Sequence, residues 1–598
     1  MGKIKKKQSK KKGFNKNRWI KPVIFLAVLL IFIGIYAVYS YPRKIELEYT
    51  IKPFSVEEKM LNVNVRIKPL KAAEEKTFIL VKGAMNTSEE KCTDNLNRKV
   101  NFKEQNGIIV IDKLSEGAEY INYSYNVQIG GSGKHGDNGQ IYQDMMTFAG
   151  ESVLALPMRA LNYDNPKEDI IRKITVKSAV PDTWEAIIPY PKQGTIAESE
   201  LENPNWMQLY ELRQATFTFG RFEKHIHTDS KGKGYTVYLD SEAKQYYDSE
   251  AEKGIDSLYN YYSVLFDHKL DNYSMIILRK SREKQNYIIG GVSSQNLAST
   301  FDPDNKRDWQ LLSHRMFHSF FEAKLPEERY LKAPLLEFYE GLATYYENLS
   351  LVSLPENIRG SLNLSYDKEL QYLFERYAYM RLKDPKSLAL IPLNEAQLQN
   401  SPSRIEFLHY TQMPLTVAYM EELINHDTGR KDNILNYILK NSGDNNVTVE
   451  KIADKLLGKA SKDFVSKYLR GSELLPLWNT YAGKLEKDEE VVKRLNNYEM
   501  ELYTWFSQEN LLYKYDLADA KDIEKLYEEA EREKVQFSDE TTEELAKNTS
   551  PVLYKLLKSH ALRAKVCSVE YNDASLREKL LASQSNLSKW DSFKKGLK

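Results

Sequence analysis

Residues 22–41, PVIFLAVLLIFIGIYAVYSY, run for 20 positions without a charged side chain. At about 1.5 Å of rise per residue, a helix of that length spans ~30 Å, the thickness of bilayer hydrocarbon. The residues before it carry ten basic side chains and no acid, and Arg43 and Lys44 follow it. Basic flanks stay on the cytoplasmic side of a span, so the expectation is a cytoplasmic tail over 1–21 and a single transmembrane helix over 22–41. Everything after Arg43 is then extracytoplasmic, on a cell-membrane anchor. A cleaved leader is the rival reading. The apolar run is long for one and ends in Tyr39, Ser40 and Tyr41 instead of a small-x-small cleavage site, and no cysteine near its end can carry a lipid. The lysine-rich tail sets orientation and contacts anionic membrane lipid.

The rest of the chain has ample material for folded cores. Of 598 residues, 42% are hydrophobic and 28% charged, which excludes a collagen, a disordered tail and a polytopic transporter and leaves room for about three folded units. Removing the ten basic residues of the tail leaves 75 basic against 84 acidic side chains in residues 22–598, a net of −9. A mildly acidic body is a poor nucleic-acid binder, so no nucleic-acid partner is expected. Cys92 and Cys567 stand 475 positions apart, so neither a disulfide framework nor a cysteine zinc site is available, and whether the two pair stays open.

Period two governs the first exported stretch. Ile45, Leu47, Tyr49 and Ile51 alternate with other residues, as do Leu61, Val63, Val65 and Ile67, and later Ile121, Tyr123, Tyr125, Val127 and Ile129. Short alternating segments with turns between them predict an antiparallel β-sandwich over 45–195. A polar stretch with Gly and Pro opens a linker over 196–239. Helical and strand patterns then mix over 240–475, with helices from Trp309 to Lys324 and Pro334 to Leu349, a strand at 274–278 and a Gly-Gly turn at 290–291. Beyond that, 476–598 reads as a charged, amphipathic helical region. The fold class is therefore multidomain α+β.

Within WQLLSHRMFHSFFEAK, His314 and His318 are four apart on a predicted helix, so one turn brings both imidazoles to the same face. Glu340, in FYEGLATYYE, lies 22 residues past His318 on the next helix. Two helical histidines and a glutamate from a following helix are the ligand pattern of a His2Glu zinc site. Packed histidines on an amphipathic helix are the bland alternative for the pair taken alone.

Four segments carry a family resemblance. EGLATYYE resembles the segment that holds the third metal ligand in the glycyl aminopeptidases and the related aminopeptidase N family, both gluzincin zinc metallopeptidases. GGVSSQNLAST (290–300) resembles the GGLEHxNST segment of the glycyl aminopeptidases. HYTQMPLTVAYMEELINHDTGRKDNI (409–434) is similar to their YxKGxLVxxxLDxxIRxxTxGKxSL segment. DFVSKYLRGSELLPLWN (463–479) is similar to their closing FFxxYVxGxxxLP. The motifs stand in the family's order over about 240–480. The resemblance implies a thermolysin-like (gluzincin) α+β domain, zinc held by His314, His318 and Glu340, and Tyr410 as the residue that stabilises an oxyanion. It also implies a peptide-binding edge over Gly290, Gly291, Ser293 and Ser294. The PDZ-like domain common in that family has no counterpart in the C-terminal region.

The departures bear on function. Where the family has the glutamate that takes a proton from the attacking water, this chain has Arg315, giving HRMFH, and a guanidinium cannot act as a base. The substrate-facing glutamate and the histidine of GGLEH correspond to Ser293 and Ser294, and the usual Lys-Gly is Gln412-Met413. Glu337 and Glu322 stand one turn from Glu340 and His318, but neither holds the position that aims a carboxylate at the metal. Loss of one general base costs on the order of 10² to 10⁴ in rate. The expectation is a catalytically impaired, zinc-capable pseudopeptidase with a peptide or protein ligand in its cleft. The alternatives are an active or weakly active zinc metallopeptidase with a rearranged base, and a structural cell-envelope protein. His225 and His227 read as a surface strand pair, and Asp302 and Asp304 as turn and helix-start residues.

Overall fold

The structure, a computed structural model, describes most of residues 44–477 apart from several internal segments, together with residues 494, 498 and 501. The basic tail, the apolar span at 22–41, Cys567 and nearly all of the C-terminal helical region lie outside the described residues. Among the described residues no helix is long and apolar enough to cross a membrane.

Alternation puts the first strands where it should. Lys44–Ser55, Met60–Pro69 and Ile121–Gln128 lie side by side in a six-stranded sheet, flanked by Thr87–Asp94 on one side and by Ile170–Ser178 and Glu198–Glu202 on the other. Leu61, Val63, Val65 and Ile67 face Val127, Tyr125, Tyr123 and Ile121 across one ladder, and all eight are buried. A one-residue slip would turn that set to solvent, at roughly 1.5–3 kcal/mol for each large apolar side chain exposed. Buried phenols find backbone partners: the Tyr49 hydroxyl donates to Ala155 O at 2.8 Å and that of Tyr125 to Val153 O at 2.6 Å. Cys92 is a free, buried thiol in this core, and burial pushes its pKa up to about 12.

Two features correct the sequence reading. The sheet is not wholly antiparallel, because Lys44–Ser55 pairs with Ile170–Ser178 in parallel. Alternation specifies which face is buried, not strand direction, and the long chain between these two strands permits either. Residues 196–239 are not a linker. They contain the strands Glu198–Glu202, Thr216–Gly220, Glu223–Thr228 and Gly234–Leu239 and the helix Trp206–Gln214. The polar opening of that stretch is a strand and a helix N-terminus, where the Asn205 side chain accepts from Gln208 N while the Gln208 side chain answers to the Asn205 backbone. Just past Trp184 the strand Glu185–Ile187 joins a separate four-stranded sheet beside Thr216–Gly220.

A second, larger core begins at Tyr235. Its five-stranded sheet runs Glu223–Thr228, Gly234–Leu239, Tyr273–Leu278, Asn296–Thr300, Ile289–Val292, with parallel pairs at the centre and an antiparallel strand at each edge. Helix Lys306–Lys324 carries the two histidines. Asn305 caps it, accepting from Arg307 N, and Asp302 closes the turn before it by accepting from Asp304 N. Its Trp309, Leu312, Met316, Phe317, Phe320 and Phe321 are buried in the core. Helix Leu335–Ser350 lies against it and against helix Met413–Thr428. Gly341 permits that second contact, since a Cβ there would sit 2.3 Å from Met413 Cγ.

Candidate metal centre

The histidine helix and the glutamate helix converge at one corner. His314 Nε2 and His318 Nε2 are 3.0 Å apart, and Glu340 Oε2 lies 3.3 Å from the first and 3.4 Å from the second. Zinc bonds of ~2.0–2.2 Å in a tetrahedral arrangement place ligand atoms about 3.3 Å from one another. Among the described residues this is the one group of three side chains gathered to metal-ligand spacing. Glu340 Oε2 is buried and out of hydrogen-bond alignment with either ring, an anionic oxygen without a donor facing two ring nitrogens. That donor set fits a divalent cation, and zinc in particular.

Further groups orient the ligands. Glu347 Oε2 is 3.0 Å from His314 Nδ1, so a carboxylate holds the ring with Nε2 turned to the metal position. Arg307 braces Glu347 from the surface at 3.2 Å. The His318 ring packs on Tyr339 with centroids 4.6 Å apart, and among the described residues its Nδ1 has no hydrogen-bond partner. Burial works against charge at His314, but the Glu340 and Glu347 carboxylates beside the ring override it and raise its pKa to about 9. Burial holds His318 below its ordinary value despite the Glu340 charge. At Glu340 burial would raise the carboxyl, yet the two imidazoles hold it well below the usual carboxylate range.

Tyr410 belongs to this corner. It stands in a π-helical turn, Leu408–Gln412, whose extra residue per turn re-aims side chains, and its ring lies 5.9 Å from that of His314. Burial, followed by the charges of Glu340 and Glu347, pushes its phenol upward, so it remains a proton-bearing donor.

Arg315 does not turn outward. It is 5% exposed, and its Nη2 donates to Gly291 O at 2.6 Å. The guanidinium thus ties the histidine helix to the edge strand Ile289–Val292, which also carries Gly290. Burial lowers its pKa to about 10, still far above neutrality. Gly291 is glycine for a packing reason: a Cβ would lie 2.1 Å from Gln214 O.

The two serines separate. Ser293 is fully buried, and its hydroxyl accepts from Gln295 N and Asn296 N at 3.2 Å each, so it shapes the turn between the two strands and offers nothing to a ligand. Ser294 hydrogen-bonds Glu211, which also accepts from the Tyr190 hydroxyl. Glu211 comes from helix Trp206–Gln214, far upstream, and no local signal marked it. Glu347 carried a signal, since seven residues past Glu340 is two turns along the same face.

Neither alternative acid belongs to the group gathered at the corner. Glu322 accepts from the Tyr339 hydroxyl at 3.3 Å, and burial followed by the Glu211 charge raises its carboxyl well above the usual range. Glu337 is fully buried, with His409 Nε2 3.7 Å away and no hydrogen bond to either oxygen. His225 and His227 lie on the edge strand Glu223–Thr228, where both approach Glu252, at 3.5 and 3.0 Å.

No protein-family model matches the chain, and no curated protein matches it. Solved structures do. An aminopeptidase N family protein from Idiomarina loihiensis superimposes with a TM-score of 0.53 at 13% identity, over 73% of this chain and 77% of that one. An M1 zinc metallopeptidase from Deinococcus radiodurans gives a TM-score of 0.42 at 13% identity, over 72% of this chain and 94% of the other. At such identity the first likeness is one of fold: a multidomain α+β architecture of aminopeptidase N type.

Proposed function

We propose that the chain is a membrane-anchored, extracytoplasmic protein of aminopeptidase type that keeps a zinc corner, has lost the hydrolytic base, and holds a peptide or protein segment in its cleft without cutting it. The observation that carries this reading is Arg315, buried at the position of the base and bonded to Gly291 O. A guanidinium there cannot accept a proton at neutral pH, and it engages a carbonyl of the sheet edge.

When bound, zinc supplies Lewis-acid polarisation of a carbonyl, and His314, His318 and Glu340 would hold it. The chain's own groups then act as binders. Glu347 fixes the His314 ring, and the protonated Tyr410 hydroxyl can donate to a ligand oxygen at the corner. The edge strand offers backbone groups to an extended peptide, the mode of strand addition. The retained ligands and Tyr410 favour the second reading, a weakly active zinc peptidase.

Trace-metal analysis of the purified full chain and a peptide-library cleavage assay separate the two. The expected outcome is zinc lost on His318→Ala, peptides retained by the wild type, and no cleavage products. Robust cleavage that disappears in His318→Ala would establish the peptidase and overturn the binding reading.

A further inference from the structure

On the opposite side of the glutamate helix from the metal corner lies a cavity of about 490 Å³, walled by Tyr345, Tyr366 and Leu477 and by Glu421, Glu422 and Asn425 of helix Met413–Thr428. Its size falls within the roughly 300–1,000 Å³ of small-ligand pockets. Tyr345 stands five positions past Glu340 on a 3.6-residue period, which points it about 140° away from the ligand carboxylate.

The lining has one consistent chemistry. The Tyr345 and Tyr366 rings meet edge to face, centroids 6.3 Å apart and planes at 80°. Leu477 adds apolar surface, and no Lys, Arg or His lines the cavity among the described residues. Glu421 is 7% exposed, while Glu422 and Asn425 are exposed at the rim. One Glu421 oxygen, Oε1, accepts from Ile434 N at 2.8 Å, which fixes the carboxylate in place. Among the described residues the other oxygen has no hydrogen-bond donor. Burial pushes this carboxyl up to about 7, the mark of an anion short of compensation.

We infer that this cavity is a binding site for an organic cation, an alkylammonium or alkylguanidinium group, with Glu421 as counter-ion and the two tyrosines as its aromatic walls. A cation inserted here gains a charge-assisted hydrogen bond to a largely desolvated carboxylate and contact with the tyrosine rings. Glu422 and Asn425, exposed at the rim, offer acceptor oxygens for a second N–H of a guanidinium or amine. The site is independent of the metal corner and does not depend on whether the protein hydrolyses anything. The same chemistry can arrive as a free small amine or as a Lys or Arg side chain of a peptide.

Isothermal calorimetry on the full chain in detergent tests this, with butylguanidinium, butylammonium, an end-capped peptide bearing one Arg, and butyrate as the anionic control. Saturable binding of the cations and none of butyrate is expected. Glu421→Gln keeps the shape and the acceptor for Ile434 N while removing the charge, and should weaken binding at least about tenfold. Tyr366→Ala should weaken it about fivefold, and Glu422→Gln, at the exposed rim, less than about threefold. Zinc content should stay unchanged in all three. Binding of the peptide at least about tenfold tighter than of butylguanidinium and butylammonium identifies a side chain as the source, and equal or tighter binding of the free cations identifies a small amine. No saturable binding by any of the cations, or binding that survives both Glu421→Gln and Tyr366→Ala, would overturn the proposal.

Discussion

A guanidinium one residue past His314 acts on the metal corner through its charge as well as through the bond it makes. Two unit charges 4 Å apart interact by about 1 kcal/mol in water and ~4 kcal/mol near a protein surface. Arg315→Glu removes a positive charge and adds a negative one, so zinc affinity, measured by competition against a chelating dye, should rise at least about tenfold. Unchanged affinity would mean that the Arg315 charge is not felt at the triad. Glu347→Gln keeps the size of the side chain that orients His314 but weakens its hold, and should lower zinc affinity by about 10–100-fold. The two histidines and Glu340 were legible in the chain because helix periodicity alone brings His314 and His318 together and the next helix presents a carboxylate. Where Arg315 would point was not. Position after a ligand says which face a residue occupies, whereas its partner, the carbonyl of Gly291, is set by tertiary contact with an edge strand. Ser293 failed as a ligand-facing candidate for a related reason: a hydroxyl near the end of a strand is well placed to close its own turn, as it does with Gln295 and Asn296.

Among the elements, the helices around the corner followed from their apolar spacing, while sheet order did not. A strand's alternation is unaffected by whether its neighbour runs up or down, so the parallel pairing of Lys44–Ser55 with Ile170–Ser178 had no sequence mark. The crossing of the glutamate helix over Met413–Thr428 rests on Gly341. Gly341→Ala would press a methyl into Met413 and should destabilise the protein by about 1–3 kcal/mol, read as a shift in the denaturant midpoint at constant slope. The latter helix also carries Glu421, which serves the first turn of Ile434–Lys440 through Ile434 N. Its folded pKa stands at about 7 against an ordinary 4.5. The folded state therefore holds the proton more tightly, so the contribution of this carboxyl to stability is greatest below pH ~4.5 and falls as pH rises towards about 7. The loss attributable to this carboxyl is roughly 3 kcal/mol, and unfolding titrations of Glu421→Gln across that window should lack it. A variant with the same pH slope as the wild type would show that Glu421 ionises freely.

At the scale of the whole molecule, the two cores meet at the strand beside the metal corner. The Asn296 side chain brackets Thr216, accepting from its N–H at 3.1 Å and donating to its C=O at 3.2 Å, and Gln295 accepts from Tyr190 N at 2.9 Å. With Ser294 on Glu211, the strand that borders the metal corner is thus seated on the N-terminal sheets, and the two units hold the cleft edge jointly. The proposed membrane anchor has its own test at this scale. The proposal rests on twenty uncharged residues after ten basic ones, which by length and flanking charge would form an uncleaved span with the tail inside. Mass spectrometry of the mature protein should then find its first residues intact. Protease added to sealed cells should digest residues 45–598 and leave a membrane-embedded N-terminal fragment, and deletion of 1–43 should release the remainder from the membrane fraction. A mature N-terminus beyond Tyr41 would replace the anchor with a leader. An intact chain resistant to external protease, yet digested after lysis, would reverse the orientation and with it the extracytoplasmic reading of the cleft.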